Sequence, residues 1–158
     1  MASAPPIEIA PDAVFDVTIA TDRGDIQMRL DASLAHQTVN NFVVQARRGF
    51  YDGLTFHRVV PGFVIQGGDP EGTGRGGPGY RFPDEPVRGE YTLGAVAMAN
   101  AGPDTNGSQF FICIEDCTDK LQPLYNLFGY VTSGIEVAQS IQVGDKMNSV
   151  TVTEVGAG

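Results

Sequence analysis

The apolar residues of this chain fall into short runs separated by Gly, Pro and Asp, and this spacing constrains the fold more than any other feature. The first two runs, 15–19 and 26–30, alternate apolar and polar residues on either side of a turn at 21–24. This alternation predicts a β-hairpin with one buried face. Six further runs have the length of strands and are too short for most buried helices; they span 55–60, 63–66, 94–99, 109–114, 127–131 and 150–155.

Two segments have helical spacing instead. Over about 35–48, apolar residues recur at i, i+3, i+4 and i+7 with polar residues between them, which predicts an amphipathic helix; the apolar set is Val39, Phe42, Val43 and Ala46, and the polar set is Asn40, Asn41, Gln45, Arg47 and Arg48. Residues 133–136, Ser-Gly-Ile-Glu, match a capping box and predict a second helix. That helix would present Ile135, Ala138 and Ile141 on one face and end near Gly144.

Eight strands and two helices that never settle into β-α-β alternation predict a mainly β fold, a closed eight-stranded antiparallel β-barrel capped by two α-helices. Residues 13–158 form a single domain in this interpretation. The proline-containing segment 1–12 is expected to be a flexible N-terminal arm. The Gly- and Pro-rich segment 67–90 is interpreted as a long functional loop.

Composition narrows the function classes. Ten Lys and Arg against 19 Asp and Glu give a formal charge of −9, which opposes binding to nucleic acid and to anionic membranes. No apolar run approaches the ~18–20 residues of a membrane span, and the start of the chain does not look like a secretory signal. Cys113 and Cys117 match neither a redox motif nor a zinc framework. We therefore expect a cytoplasmic monomer with two free thiols and no metal or cofactor.

Arg58 is the most informative single residue, because it lies inside an otherwise apolar, strand-like run. A guanidinium keeps its charge and needs partners for its donors. Arg58 therefore belongs either to a structural ion pair or to a pocket that presents a fixed positive fork to a substrate. Gln66, Asn100 and Gln109 are likewise embedded in apolar segments, which indicates a mutual hydrogen-bond network or a lined cavity.

Two other motifs favour different chemistry, but weakly. Gly72, Gly74 and Gly77 match G-x-G-x-x-G, yet Pro78 and Gly79 follow where a dinucleotide site needs a helix, so a loop is favoured. His57, Ser108 and an aspartate would make a hydrolytic triad, but no nucleophile elbow surrounds Ser108. We interpret His57 as a structural histidine.

Two blocks of sequence together point to a family. Residues 56–69, beginning Phe-His-Arg and ending Gly-Gly-Asp, and residues 98–112, Met-Ala-Asn-Ala-Gly-Pro-Asp-Thr-Asn-Gly-Ser-Gln-Phe-Phe-Ile, closely resemble the signature of the cyclophilins. The chain resembles a prokaryotic-like, single-domain member. The resemblance implies a peptidyl-prolyl cis-trans isomerase that assists folding of unfolded, proline-containing chains without a cofactor. The alternative is a proline-directed peptide-binding or chaperone module with little turnover.

The resemblance also implies a role for each matching residue. Arg58 matches the catalytic arginine, with Gln66 holding it in place, while His57 and Lys120 are candidate accessory residues. The substrate-binding set comprises Phe63, Val64, Ala99, Asn100, Ala101, Gln109, Phe111, Leu121 and Tyr125. Tyr125 stands where a histidine is usual, and Lys120 where the pocket rim usually has a tryptophan. Because the indole surface is missing, cyclosporin is expected to bind more weakly than to relatives that carry the tryptophan.

Overall fold

The structure is a computed structural model that describes residues 3–157 and, within the last strand, side chains as far as Val155. It contains the eight strands and two helices that the sequence predicts, in the predicted order. They are β1 (Ala13–Thr21), β2 (Gly24–Asp31), α1 (His36–Arg47), β3 (Phe56–Val60), β4 (Val64–Gly67), β5 (Ala95–Met98), β6 (Phe110–Cys113), β7 (Leu127–Ser133), α2 (Ile135–Ser140) and β8 (Ser149–Ala157). Neither of the two described helices is long and apolar enough to cross a membrane.

All eight strands belong to one antiparallel sheet, in the order β3-β4-β6-β5-β7-β2-β1-β8. The sheet curls into a half-barrel, and its edge strands β3 and β8 share no ladder. The start of β3 and the residues before it instead meet the segment that precedes β8, through bonds from the Phe56 N–H to the Asp145 carbonyl at 2.9 Å and from the Met147 N–H to the Leu54 carbonyl at 2.8 Å. The predicted closed barrel is therefore joined along this seam by a few backbone bonds rather than by a continuous ladder.

The main core lies inside the curl, where α1 covers it. The inward residues of the β1–β2 hairpin alternate with outward residues that are partly or fully exposed, as the period of two requires. The inward set is fully buried and comprises Phe15, Val17, Ile19, Ile26, Met28 and Leu30. Phe42 of α1 stacks on Tyr51 with ring centroids 4.8 Å apart and meets the edge of Phe110 at 5.4 Å. These contacts fix α1 against the sheet and confirm its predicted apolar face.

The polar residues of α1 do not form a solvent-exposed face, which corrects the amphipathic interpretation. Asn40, Asn41 and Gln45 are buried, and each is satisfied by a hydrogen bond. Asn41 Nδ2 donates to the Gly107 carbonyl at 2.9 Å, and Gln45 Nε2 donates to the Tyr80 hydroxyl at 2.7 Å. Gln45 thus ties α1 to the long loop between β4 and β5, and Asn41 ties it to the loop between β5 and β6, so the helix is covered on more than one side.

Part of the segment before β1 lies along α1. Asn40 Nδ2 donates to the Pro6 carbonyl at 3.1 Å, and its Oδ1 accepts from the Glu8 N–H at 2.9 Å. His36 Nε2 is 2.8 Å from the Ile9 carbonyl oxygen. These contacts give the arm a defined position, while its predicted flexibility remains a prediction.

The second helix starts differently from the capping-box prediction. Gly134 is its N-cap, in the left-handed region at φ 83°, and no side chain caps the helix. A Cβ at Gly134 would collide with the Asp25 carbonyl, so close backbone approach decides this start. The helix ends at Ser140, and Gly144 lies in the turn beyond it rather than at the predicted exit.

Candidate active site

Three adjacent strands bring the catalytic candidates together on the face of the sheet opposite the main core. Arg58 of β3 pairs in register with Gln66 of β4, and Gln66 pairs with Phe111 of β6. On β4 and β6, Ile65 and Ile112 point into the main core, while Val64 and Phe111 belong to a second apolar cluster. Both faces of these two short strands are covered, so apart from Gln66 their residues are apolar or small.

The second face carries a cavity of about 240 Å³. Every residue that lines it is among the predicted site residues: Arg58, Phe63, Val64, Gln66, Ala99, Asn100, Phe111, Leu121 and Tyr125. Tyr125 meets the Phe111 ring edge-on, with centroids 5.5 Å apart, and so stiffens one wall. The cavity therefore combines apolar walls with a cation and amides at its mouth, as small-molecule and peptide pockets commonly do.

A chain of hydrogen bonds orients Arg58. Its Nη1 donates to Gln66 Oε1 at 3.2 Å, Gln66 Nε2 donates to Gln109 Oε1 at 3.0 Å, and Gln109 Nε2 donates to the Gly76 carbonyl at 2.9 Å. Arg58 takes part in neither of the two salt bridges among residues 3–157. Of the two interpretations of Arg58, the structural ion pair is thus not found in the described part of the chain.

Arg58 is also exposed, although its apolar run suggested burial. The reason is the position of β3 at the edge of the sheet, where the side chain reaches the cavity mouth. Gln66 holds one nitrogen of the guanidinium, and the other donors remain available to a bound molecule.

One rim of the cavity offers backbone groups. The side chain of Asn100 is held on both ends, because its Nδ2 donates to the Leu124 carbonyl at 2.9 Å and its Oδ1 accepts from the Gly102 N–H at 3.2 Å. The backbone N–H and C=O of Asn100 have no hydrogen-bond partner in residues 3–157. An extended peptide laid along this rim would therefore find a free donor and a free acceptor.

The accessory candidates lie outside this cavity. Lys120 is exposed, and its Nζ donates to the Gly62 carbonyl at 2.7 Å, next to Phe63. His57 is half-buried, and its Nδ1 has no partner in the described structure. Burial lowers the pKa of His57; the carboxylate of Asp69 opposes this effect and the charge of Arg58 adds to it. Neither side chain touches the space where a small ligand would sit.

No hydrolytic triad is assembled. Ser108 is buried, and its Oγ donates to the Gly68 carbonyl at 2.6 Å rather than to His57. The Tyr51 hydroxyl donates to the Ser108 carbonyl at 2.9 Å, which fixes the same residue from the other side. Ser108 therefore holds the backbone next to Gln109 and is not a nucleophile.

A second cavity, of about 660 Å³, adjoins the first and shares Gln66, Ala99 and Asn100 with it. Ala101 and Gln109 line this one, so the predicted substrate-binding set is divided between two joined cavities. Its outer wall is the glycine-rich loop over 74–81, which contains no helix, as the dinucleotide interpretation would have required.

The loop owes its shape to a residue whose role the sequence did not reveal. The Asp69 carboxylate accepts from the backbone N–H groups of Glu71 at 2.8 Å, Thr73 at 2.9 Å and Gly74 at 2.6 Å. Burial raises the pKa of Asp69, but these backbone donors outweigh it and hold the pKa below its usual range. The signal in the sequence was the glycine-rich stretch directly after Asp69.

The two cysteines are free and buried in the apolar cluster behind the first cavity. Burial raises the pKa of the Cys113 thiol, and the neighbouring Cys117 adds to the effect. Both groups pack as small apolar side chains. The described residues contain no cluster of three or more His, Cys, Asp or Glu arranged to hold a metal ion.

Comparison with known proteins identifies the family. Residues 15–156 match the family model described as cyclophilin type peptidyl-prolyl cis-trans isomerase/CLD. The chain is 50% identical over 133 residues to peptidyl-prolyl cis-trans isomerase B of Bacillus subtilis, and the aligned region covers 83% of this chain and 92% of that protein. It is 47% identical over 137 residues to a peptidyl-prolyl cis-trans isomerase of Helicobacter pylori, covering 84% of this chain and 83% of the relative.

A solved structure shows the same fold. The crystal structure of a Cryptosporidium parvum cyclophilin type peptidyl-prolyl cis-trans isomerase superimposes with a TM-score of 0.81 at 31% sequence identity. The match covers 89% of this chain and 98% of that one. The eight-stranded arrangement and its two helices are therefore those of a known fold.

Proposed function

The chain belongs to the cyclophilin-type peptidyl-prolyl cis-trans isomerases, and we propose that Arg58 is the residue with which it lowers the barrier to rotation about an X-Pro bond. The observation that carries this assignment is the guanidinium at the mouth of the apolar cavity, held by Gln66 and free of any salt bridge in the described chain. A module that only binds proline needs the pocket but has no use for an oriented cation. Isomerisation with turnover is thus favoured over binding alone.

The physical basis is the change at the amide nitrogen during rotation. Resonance makes the planar amide nitrogen a poor hydrogen-bond acceptor and imposes a barrier of ~18–20 kcal/mol. Midway through rotation the nitrogen regains its lone pair and can accept a hydrogen bond. A donor from Arg58 therefore binds the twisted amide more tightly than either planar form, which is the condition for catalysis.

The rest of the site would hold one side of the bond while the other turns. The walls formed by Phe63, Phe111 and Leu121 would take the proline ring, and the free backbone groups of Asn100 would hold the segment before it. A bound peptide would also displace water from the exposed mouth and so strengthen the bond from Arg58. Rotation breaks no covalent bond, so the step needs neither an electron acceptor nor a nucleophile.

The broader assignments are part of this proposal. The substrates are proline-containing peptides and unfolded protein chains, and the protein assists folding as a cytoplasmic monomer with 13–158 as one domain and 1–12 as an arm. A formal charge of −9 supports the exclusion of nucleic acid and anionic membranes as partners. Cyclosporin would bind more weakly than to relatives that carry a tryptophan at the rim, because Lys120 donates to the Gly62 carbonyl and adds no aromatic surface to the cavity.

The deciding experiment compares Arg58→Ala and Arg58→Lys with the parent protein on a short X-Pro peptide, with exchange rates measured by NMR. Arg58→Ala should lose most activity while circular dichroism shows a retained fold. Arg58→Lys should also be poor, because a mobile point charge does not reproduce the planar fork. Arg88→Ala is the matched control, since Arg88 is exposed and lines neither cavity. Near-normal turnover in Arg58→Ala would refute the assignment.

A further inference from the structure

The second cavity contains two cations and no carboxylate. Arg75 and Arg81 lie on its outer wall, and none of its lining residues is Asp or Glu. Both arginines are exposed, and neither is part of the two salt bridges in residues 3–157. Their charges are therefore free to act on whatever enters the cavity.

This arrangement is unusual for a chain with so few cations. Only ten Lys and Arg oppose 19 Asp and Glu, yet three of the ten, Arg58, Arg75 and Arg81, line the two joined cavities. By contrast, Arg23 and Arg29 lie elsewhere on the surface and pair with Asp145 and Asp16. The two joined cavities thus form a positive region on a protein of negative net charge, and this region attracts and orients anionic groups.

Two carboxylates behind the loop oppose this field. Asp69 is buried, and the backbone N–H groups that donate to its carboxylate stabilise its negative charge. Glu71 is exposed, and its Oε2 would lie 2.7 Å from a Cβ built at Gly76, so it is close to the cavity wall. One free carboxylate behind the wall reduces the attraction of two arginines on it but does not cancel it.

The orientation of the bound peptide determines which of its residues lies near Arg75 and Arg81. The two cavities are joined along Ala99 and Asn100, the rim that would hold the segment before the proline. We propose that Arg75 and Arg81 give this isomerase a preference for substrates with Asp or Glu at the second or third residue before the proline. This specificity rests on the proposed function, because it requires the proline ring to occupy the first cavity.

The test uses matched peptides that end in Ala-Pro-Phe and differ only in Glu, Gln or Lys at the second or third position before the proline. NMR exchange measurements give kcat/KM without a coupling protease. The expected order is Glu, then Gln, then Lys, with Glu about two- to thirtyfold above Gln at low salt, the range for two exposed ion pairs. The ratio should shrink in ~0.5 M salt, because screening then acts within a few ångströms.

Variants identify the source of the preference. Arg75→Gln and Arg81→Gln should each lower the Glu/Gln ratio, and the double variant should bring it close to one. Arg88→Gln should keep the parent ratio. Equal kcat/KM for the three peptides, or a ratio that persists in the double variant, would overturn the specificity proposal while leaving the proposed function intact. If the protein isomerises none of the peptides, both the specificity proposal and the proposed function are overturned.

Discussion

The hydrogen-bond chain behind Arg58 yields the sharpest prediction. Gln66 links the guanidinium to Gln109, at 3.2 and 3.0 Å, and Gln109 is anchored to the loop carbonyl of Gly76. Replacing either glutamine by methionine keeps the length of the side chain and removes its polar atoms. Gln66→Met frees the guanidinium directly, whereas Gln109→Met frees Gln66 and acts on Arg58 only through it.

The magnitudes follow from that difference. The hydrogen bond between Gln66 and Arg58 involves a charged group. Because Arg58 is exposed, we take the lower end of the usual free-energy contribution of such bonds, about 1.5 kcal/mol. This corresponds to roughly a tenfold loss in kcat. The Gln66–Gln109 bond is neutral, about 0.5–1 kcal/mol, so Gln109→Met should lose about two- to fivefold. KM should change little, because a planar substrate amide does not use the bond from Arg58.

The assay is NMR exchange on one X-Pro peptide, analysed for kcat and KM separately. Gln27→Met, an exposed substitution on β2, is the control for the chemical change. In an Arg58→Ala background, Gln66→Met should cause no further loss, since the two residues would act as one unit. Parent-like kcat in Gln66→Met, or losses that add fully with Arg58→Ala, would show that Gln66 does not position the guanidinium.

Three other predictions concern stability and ligand binding. Gly134→Ala should unfold at a clearly lower temperature than Gly144→Ala in thermal melts, because both glycines have positive φ but only Gly134 lies against a backbone carbonyl. Similar decreases in melting temperature for the two variants would refute the steric explanation. Burial lowers the pKa of His57, so the unfolded chain takes up its proton first, and stability should be fully present above about pH 6.5 and fall as the pH drops below it. His57→Gln should flatten urea-unfolding free energies between about pH 6.5 and 5, and an unchanged slope would contradict this. Lys120→Trp should raise cyclosporin affinity in calorimetry, and equal affinity would show that the rim residue is not responsible.

Much of the fold could be predicted because its signals are local. Alternation in the β1–β2 hairpin follows directly from the two faces of a strand, and the buried spacing of α1 follows from its 3.6-residue period. The errors occur where a distant segment intervenes. Asn40 and Asn41 are buried because the arm and the loop near Gly107 cover that side of the helix, and α2 begins at Gly134 because the backbone meets Asp25 there.

The functional groups available to the site follow from the sequence alone. Arg58 keeps its charge and its planar set of donors in any fold, so the sequence shows that a fixed positive group lies shortly before a glycine-rich segment. Their geometry depends on the fold, because the strand order β4-β6-β5 places Gln66, Phe111 and Ala97 side by side from separate parts of the chain. The fold also joins the two cavities at Asn100 and places Arg75 and Arg81, which form no salt bridge in the described residues, along the second cavity. The sequence could not show this, because the surroundings of a charged side chain come from residues that are distant along the chain.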